Sequence, residues 1–169
     1  LIWQSETDLF HQLATNYSVT EAINAFSAYR HSFVDLHHDL PRMAALGIRS
    51  VRVPISWCLT DADPTSDPDL RIYATNVNDT HLLDRYTCLD PFFAKQGETV
   101  HWPAVPRVLL IQFLRVCNQY GLKAVLDIHT YVGGTSIGTF SGVWPRPSLF
   151  WKFDQPESPG KDLGRKILR

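Results

Sequence analysis

Residues 121–134, "GLKAVLDIHTYVGG", decide the fold. Gly121 closes an apolar helical pattern, as a left-handed helix cap does. Ala124, Val125, Leu126 and Ile128 then form a short apolar run that ends at His129, beside Gly133 and Gly134. A run of that length and continuity predicts a strand buried on both faces, delivering an imidazole to a glycine-rich loop.

Outward from that strand, Pro106 opens a predicted helix over 107–120, with Leu109, Phe113, Val116, Cys117 and Tyr120 on one side. Residues 58–102 precede it and turn to Asp, Thr, Asn and Pro, most densely in "TDADPTSDPD". They read as a long loop with little regular structure of its own, too long for a connector and therefore functional or an insertion. Before the loop, "RSVRVPI" over 49–55 is short and β-branched, which predicts a second strand. Ser18 and Glu21 have the capping-box spacing, so a helix is expected over about 19–30. A further helix is expected from near Asp35 or Asp39 to Leu46, closed by Gly47; Pro41 is tolerated only in a first turn, which favours Asp39 as N-cap. The order helix, strand, loop, helix, strand implies parallel strands joined by a crossover, an α/β fold.

Charge excludes several partners. Sixteen basic against seventeen acidic side chains leave a net charge of -1, no footprint for nucleic acid or an anionic membrane. No apolar run approaches the roughly 20 residues of a spanning helix. Because the chain opens at Leu1 rather than methionine, its original start and any targeting segment are expected to lie outside these residues. The three cysteines have no metal-like spacing: Cys117 falls in the apolar helix and reads as core, whereas Cys58 and Cys88 flank the polar loop and can pair in an oxidising compartment or stay free. The sequons Asn16-Tyr17-Ser18 and Asn78-Asp79-Thr80 lean toward the same secreted or extracellular setting. His37 and His38 are adjacent on a helix and cannot face one metal. No GxSxG, GxGxxG or Walker pattern occurs, so neither a hydrolase elbow nor a nucleotide or other cofactor is expected.

In parallel α/β architectures, chemistry collects where strands end. The first strand carries Arg52 inward and leaves through Ser56 and Trp57; the second ends in Asp127 and His129, which a spacing of two places on one face. An inward arginine demands a carboxylate at the same mouth.

"MAALGIRSVRVPISW" (43–57) followed by "GLKAVLDIHTYVGGTSIGTFSG" (121–142) resembles glycoside hydrolase family 5, most closely its exo-β-1,3-glucanase branch. Arg30-His31-Ser32-Phe33-Val34 and "DPFFAKQGETV" (90–100) resemble further segments of that branch, so the resemblance covers about 29–142. It implies a (β/α)8 TIM barrel of about 250 residues when complete, of which this chain carries roughly strands two and three and their helices, with Leu1 to Gln4 as the loop after strand one. On that reading 1–169 is one incomplete glycoside hydrolase domain, not closed in this chain, and 143–169 is a divergent tail. The implied reaction is hydrolysis of β-glucan with retention, by two carboxyl groups roughly 5 Å apart. In the family both are glutamates, the acid within Asn-Glu-Pro; here Glu6, Glu21, Glu98 and Glu157 are the only glutamates and none has that context. The catalytic pair is therefore expected to be missing.

By the same resemblance His129 is the sugar-binding histidine, Arg52 the arginine that keeps the nucleophile ionised, and Trp57 a stacking platform, with Tyr131, Phe140 and Trp144 extending the cleft. Asp127 reads as an orienting or structural carboxylate, having no second carboxyl with which to divide acid and base roles. Each has a plainer reading: His129 as a rim residue, Arg52 as an ion-pair member, Trp57 as core. Two functions stay open, a retaining β-glucanase represented by its N-terminal part and a noncatalytic carbohydrate-binding or degenerate barrel protein; either takes a β-glucan or related oligosaccharide as partner.

Overall fold

The structure, a computed structural model, describes residues 2–71, 79–152 and 158–167. Two helices open the chain, α1 (Glu6–Asn16) and α2 (Val19–Ser32), each started by a serine whose hydroxyl accepts a backbone N–H: Ser5 from Asp8 and Ser18 from Glu21, both at 3.1 Å. The first was not foreseen, although Ser5 and Asp8 stand at capping spacing. Its apolar face packs on α2, with the Phe10 and Phe26 rings 5.9 Å apart. A short helix α3 (Asp39–Ala45) follows and ends at Gly47, whose φ of +84° is the left-handed cap expected of it. Asp39 is the first helical residue and not the N-cap: Asp35 Oδ1 instead accepts from the amides of His37 and His38, turning the chain ahead of the helix.

The strands β1 (Ser50–Ile55) and β6 (Lys123–Ile128) pair in parallel, Ser50 opposite Lys123 through Ile55 opposite Ile128. Between them lie β2 (Leu59–Thr60), a 3-10 turn (Pro68–Leu70), α4 (Asp79–Tyr86), β3 (Thr87–Leu89), α5 (Pro91–Ala94), β4 (His101–Pro103), β5 (Val105–Pro106) and α6 (Arg107–Gln119); α7 (Pro159–Ile167) comes last. Among the described residues there are three sheets, each of two strands and none closed: β1 with β6, β2 with β5 in parallel, and β3 with β4 antiparallel. No described helix is long and apolar enough to cross a membrane.

The 58–102 segment thus holds more regular structure than its turn-rich composition suggests. Its sparse apolar residues are placed at useful spacings: Leu82 and Tyr86, four apart on α4, bury against Phe10, Ile23 and Phe26, while Phe93 and Trp102 build a second core with Cys58, Val143 and Leu149. Part of the expected tail therefore belongs to that core. A third core joins Leu40, Val116, Cys117 and Leu122 between α3, α6 and the sheet.

The largest departure concerns the β1–β6 sheet. Burial on both faces was expected, yet Val125, Leu126 and Ile128 are 57%, 44% and 63% exposed, and the Arg52 side chain, expected inward, is 64% exposed. Helices α3 and α6 reach the sheet only partly, through contacts such as those of Val51 with the third core. The sequence of β6 is that of a strand covered on both sides; the described residues do not supply the cover.

Candidate functional site

The parallel ladder continues past both strands, with the His129 amide donating to the Ile55 carbonyl at 3.0 Å, so the chain beyond β1 and the chain beyond β6 leave side by side. Thr130, fully buried, ties them: its hydroxyl donates to Ser56 Oγ at 2.9 Å and accepts the Trp57 amide at 3.3 Å. Sequence reading placed Ser56 at the exit of β1 but passed over Thr130 and the bond between them, because a hydroxyl pair carries no signal until the strands are paired.

On the outer side of this joint, Arg52, Asp127 and His129 form one cluster. Arg52 Nε donates to Asp127 Oδ2 at 2.7 Å, Nη2 donates to the same oxygen and lies 3.3 Å from His129 Nδ1, and His129 Nδ1 is 3.1 Å from that oxygen. The carboxylate anticipated from Arg52 is thus Asp127. The Arg52 bond first, and the His129 bond after it, hold the Asp127 carboxyl below the ordinary carboxylate range. When Nδ1 carries the proton it donates to Asp127, and Nε2 is left for a ligand. The imidazole stacks on Phe140, centroids 4.9 Å apart and planes 17° apart, so its ring is oriented from two sides.

The remaining candidates sit elsewhere. Trp57 lies against the second core, edge-on to Trp102 at 6.3 Å, and its indole N–H is buried with no hydrogen-bond partner among the described residues. Tyr131 meets Phe150 edge-on at 5.6 Å, and Trp144 is half exposed with its amide donating to Ser5 Oγ at 3.2 Å. Of the glutamates, Glu6 pairs with Arg30 at 3.9 Å, Glu98 with Arg146, and Glu21 sits in the first turn of α2; Glu157 lies outside the described residues, as does Asn78 of the second sequon. Burial, opposed by the Arg30 charge, raises the Glu6 carboxyl. The carboxylate of the cluster is Asp127 alone among the described residues.

Two further features frame the site. Cys58 and Cys88 form a disulfide that joins the chain just beyond β1 to β3, and Cys117 is a buried free thiol. A cavity of about 500 Å³ lies away from the cluster, between α2 and residues 64–71, where Asn24, His31, Asp67 and Arg71 line it. Its most buried polar group, Asp67, is already occupied by Tyr86 and, at 3.0 Å, Arg85. Among the described residues no group of three His, Cys, Asp or Glu could hold a metal ion.

No protein-family model, no curated protein and no solved structure matches the chain.

Proposed function

We propose that β1 and β6 carry part of the sugar-binding edge of a retaining β-glucan hydrolase of the exo-β-1,3-glucanase type, with the catalytic glutamates supplied by chain outside these 169 residues. The carrying observation is the Arg52–Asp127–His129 cluster, which gathers the Arg52 side chain from the middle of β1 to the C-terminal end of the adjacent parallel strand β6, the end at which α/β enzymes place their ligands. An imidazole braced by Asp127 and Phe140 presents one nitrogen to a sugar hydroxyl, and the guanidinium keeps donors to spare for a second carboxylate. The exposed apolar side chains of β6 support a larger parent fold, a (β/α)8 barrel of which these would be strands two and three. The disulfide supports passage through an oxidising, secretory compartment.

A second reading, a noncatalytic glucan-binding protein, draws on the single carboxylate of the cluster, since hydrolysis with retention needs two. Titration of the chain with laminaritriose by calorimetry tests both. Arg52→Ala and His129→Ala should each weaken binding about ten- to a hundredfold, the loss of a charged or ligand-facing hydrogen bond. Unchanged affinity in both variants, or no binding by the unaltered chain at millimolar sugar, rejects a sugar site here. Anomer-resolved NMR of laminarin digested by the full open reading frame then separates hydrolase from binder.

A further inference from the structure

We propose that Asp90 is the positioning residue of the loop that follows β6, and so sets the sugar-facing geometry of His129; the inference rests on the site reading above. Asp90 is fully buried at the N-terminus of α5. Its Oδ1 does what a cap does, accepting the amides of Phe92 at 2.9 Å and Phe93 at 3.2 Å. Capping asks nothing of the other oxygen. Yet Oδ2 accepts the Trp102 indole N–H at 2.9 Å and the Gly133 amide at 2.7 Å, the latter 43 residues away in the chain.

Gly133 is where such a grip has most effect. Its φ is +78°, and a Cβ there would stand 2.8 Å from Pro159 Cγ and 3.1 Å from Leu149 Cβ. Its carbonyl accepts the Leu149 amide at 2.8 Å, so the residue is held on both sides. The loop hangs from it: the Tyr131 carbonyl accepts the Gly134 amide at 3.0 Å, and the Thr135 hydroxyl donates to the His129 carbonyl at 3.0 Å. The strand ladder ends at His129; beyond it these bonds, together with the Thr130 hydroxyl bonds to Ser56 and Trp57, set the path of the backbone.

Asp90 is also anchored to the other strand. Its amide donates to Val100 at 2.9 Å, and Cys88, two residues earlier, is bonded to Cys58, which lies shortly beyond β1. The chain therefore closes a circuit from β1 through Cys58, Cys88, Asp90 and Gly133 back to β6, which pairs with β1. Arg52 and His129 stand on opposite legs of that circuit.

The test compares Asp90→Asn with Trp102→Phe in the full chain. The asparagine carbonyl can still cap α5, but its amide group turns donors toward the Gly133 and Trp102 N–H groups. The phenylalanine removes the indole donor and leaves the Gly133 bond. Should Asp90→Asn not fold, Asp90→Ser replaces it, since serine caps a helix but offers no second oxygen. Readouts, taken well below each variant's melting temperature, are hydrogen exchange at the Gly133 amide and laminaritriose affinity. The Asp90 variant should exchange Gly133 about tenfold faster and bind about tenfold more weakly, whereas Trp102→Phe should match the unaltered chain in both. Unchanged Gly133 exchange in the Asp90 variant, or equal effects in both variants, overturns the assignment. If the unaltered chain binds no laminaritriose, the sugar reading fails and the exchange comparison still decides whether Asp90 positions the loop.

Discussion

Reduction of the Cys58–Cys88 disulfide is expected to cost the protein between 3 and 4 kcal/mol, roughly, by the chain-entropy relation for a loop of this size. The residues are 30 apart, which lies between the loops for which that relation gives about 3 and about 4.7 kcal/mol. Burial adds a consequence: Cys58 is fully buried in the core that holds Phe93 and Trp102, so freeing it also loosens the walls around Asp90. The assay is urea denaturation with and without a phosphine reductant, alongside Cys58→Ala/Cys88→Ala, after a nonreducing peptide map has shown the cross-link. With a slope of about 2 kcal/mol per molar urea, the midpoint should fall by roughly 1.5–2 M. A midpoint that moves by less than about 0.3 M would mean that the unfolded chain gains no freedom from the break, and would refute the reasoning.

Gly133→Ala should destabilise by about 2–3 kcal/mol, since a left-handed non-glycine conformation costs about 1–2 kcal/mol and the new methyl meets Pro159 and Leu149; a thermal melt unchanged from the parent would contradict that packing. For the buried Asp67–Tyr86 pair, desolvation pushes the Asp67 carboxyl up, but the Tyr86 hydroxyl bond, the Asp69 amide and Arg85 together bring it below its ordinary value, while burial and Asp67 raise the Tyr86 phenol. The lowered carboxyl contributes stability above about pH 4 that is lost as pH falls through its folded value, and the raised phenol contributes stability below about pH 10 that is lost as pH rises toward its folded value. Tyr86→Phe should therefore remove the alkaline loss seen in melting temperature between about pH 10 and 12, at a cost of about 1–3 kcal/mol at neutral pH; an alkaline limb that persists in the variant rules out Tyr86 as its source. Secretion of the chain from a eukaryotic host should yield a glycan on Asn16, which is exposed at the end of α1, and peptide mass after enzymatic deglycosylation in heavy-oxygen water reads it directly.

The sequence by itself determined the elements whose signal is local. Ser18 caps α2 and Gly47 ends α3 because caps act within a few residues; α6 and β6 follow from an apolar period broken by Gly121, and the parallel pairing of β1 with β6 follows from the crossover between them. A spacing of two placed Asp127 with His129, and Arg52 does meet a carboxylate, but the burial from which that partner was expected is absent, its side chain being 64% exposed, and strand pairing brings Asp127 to it. Tertiary structure alone decided the rest. Whether Val125 and Ile128 meet a neighbour or solvent, whether Cys58 finds Cys88, and whether the Asp90 that starts α5 also holds Gly133 depend on where distant segments come to lie. The Asp90-Pro91 pair announces a helix start, which is a local fact. The second oxygen of that carboxylate is assigned only when 43 residues of intervening chain have folded back to bring Gly133 within 2.7 Å of it, because hydrogen bonds and burial across such separations are fixed by the path of the whole chain, which no residue window contains.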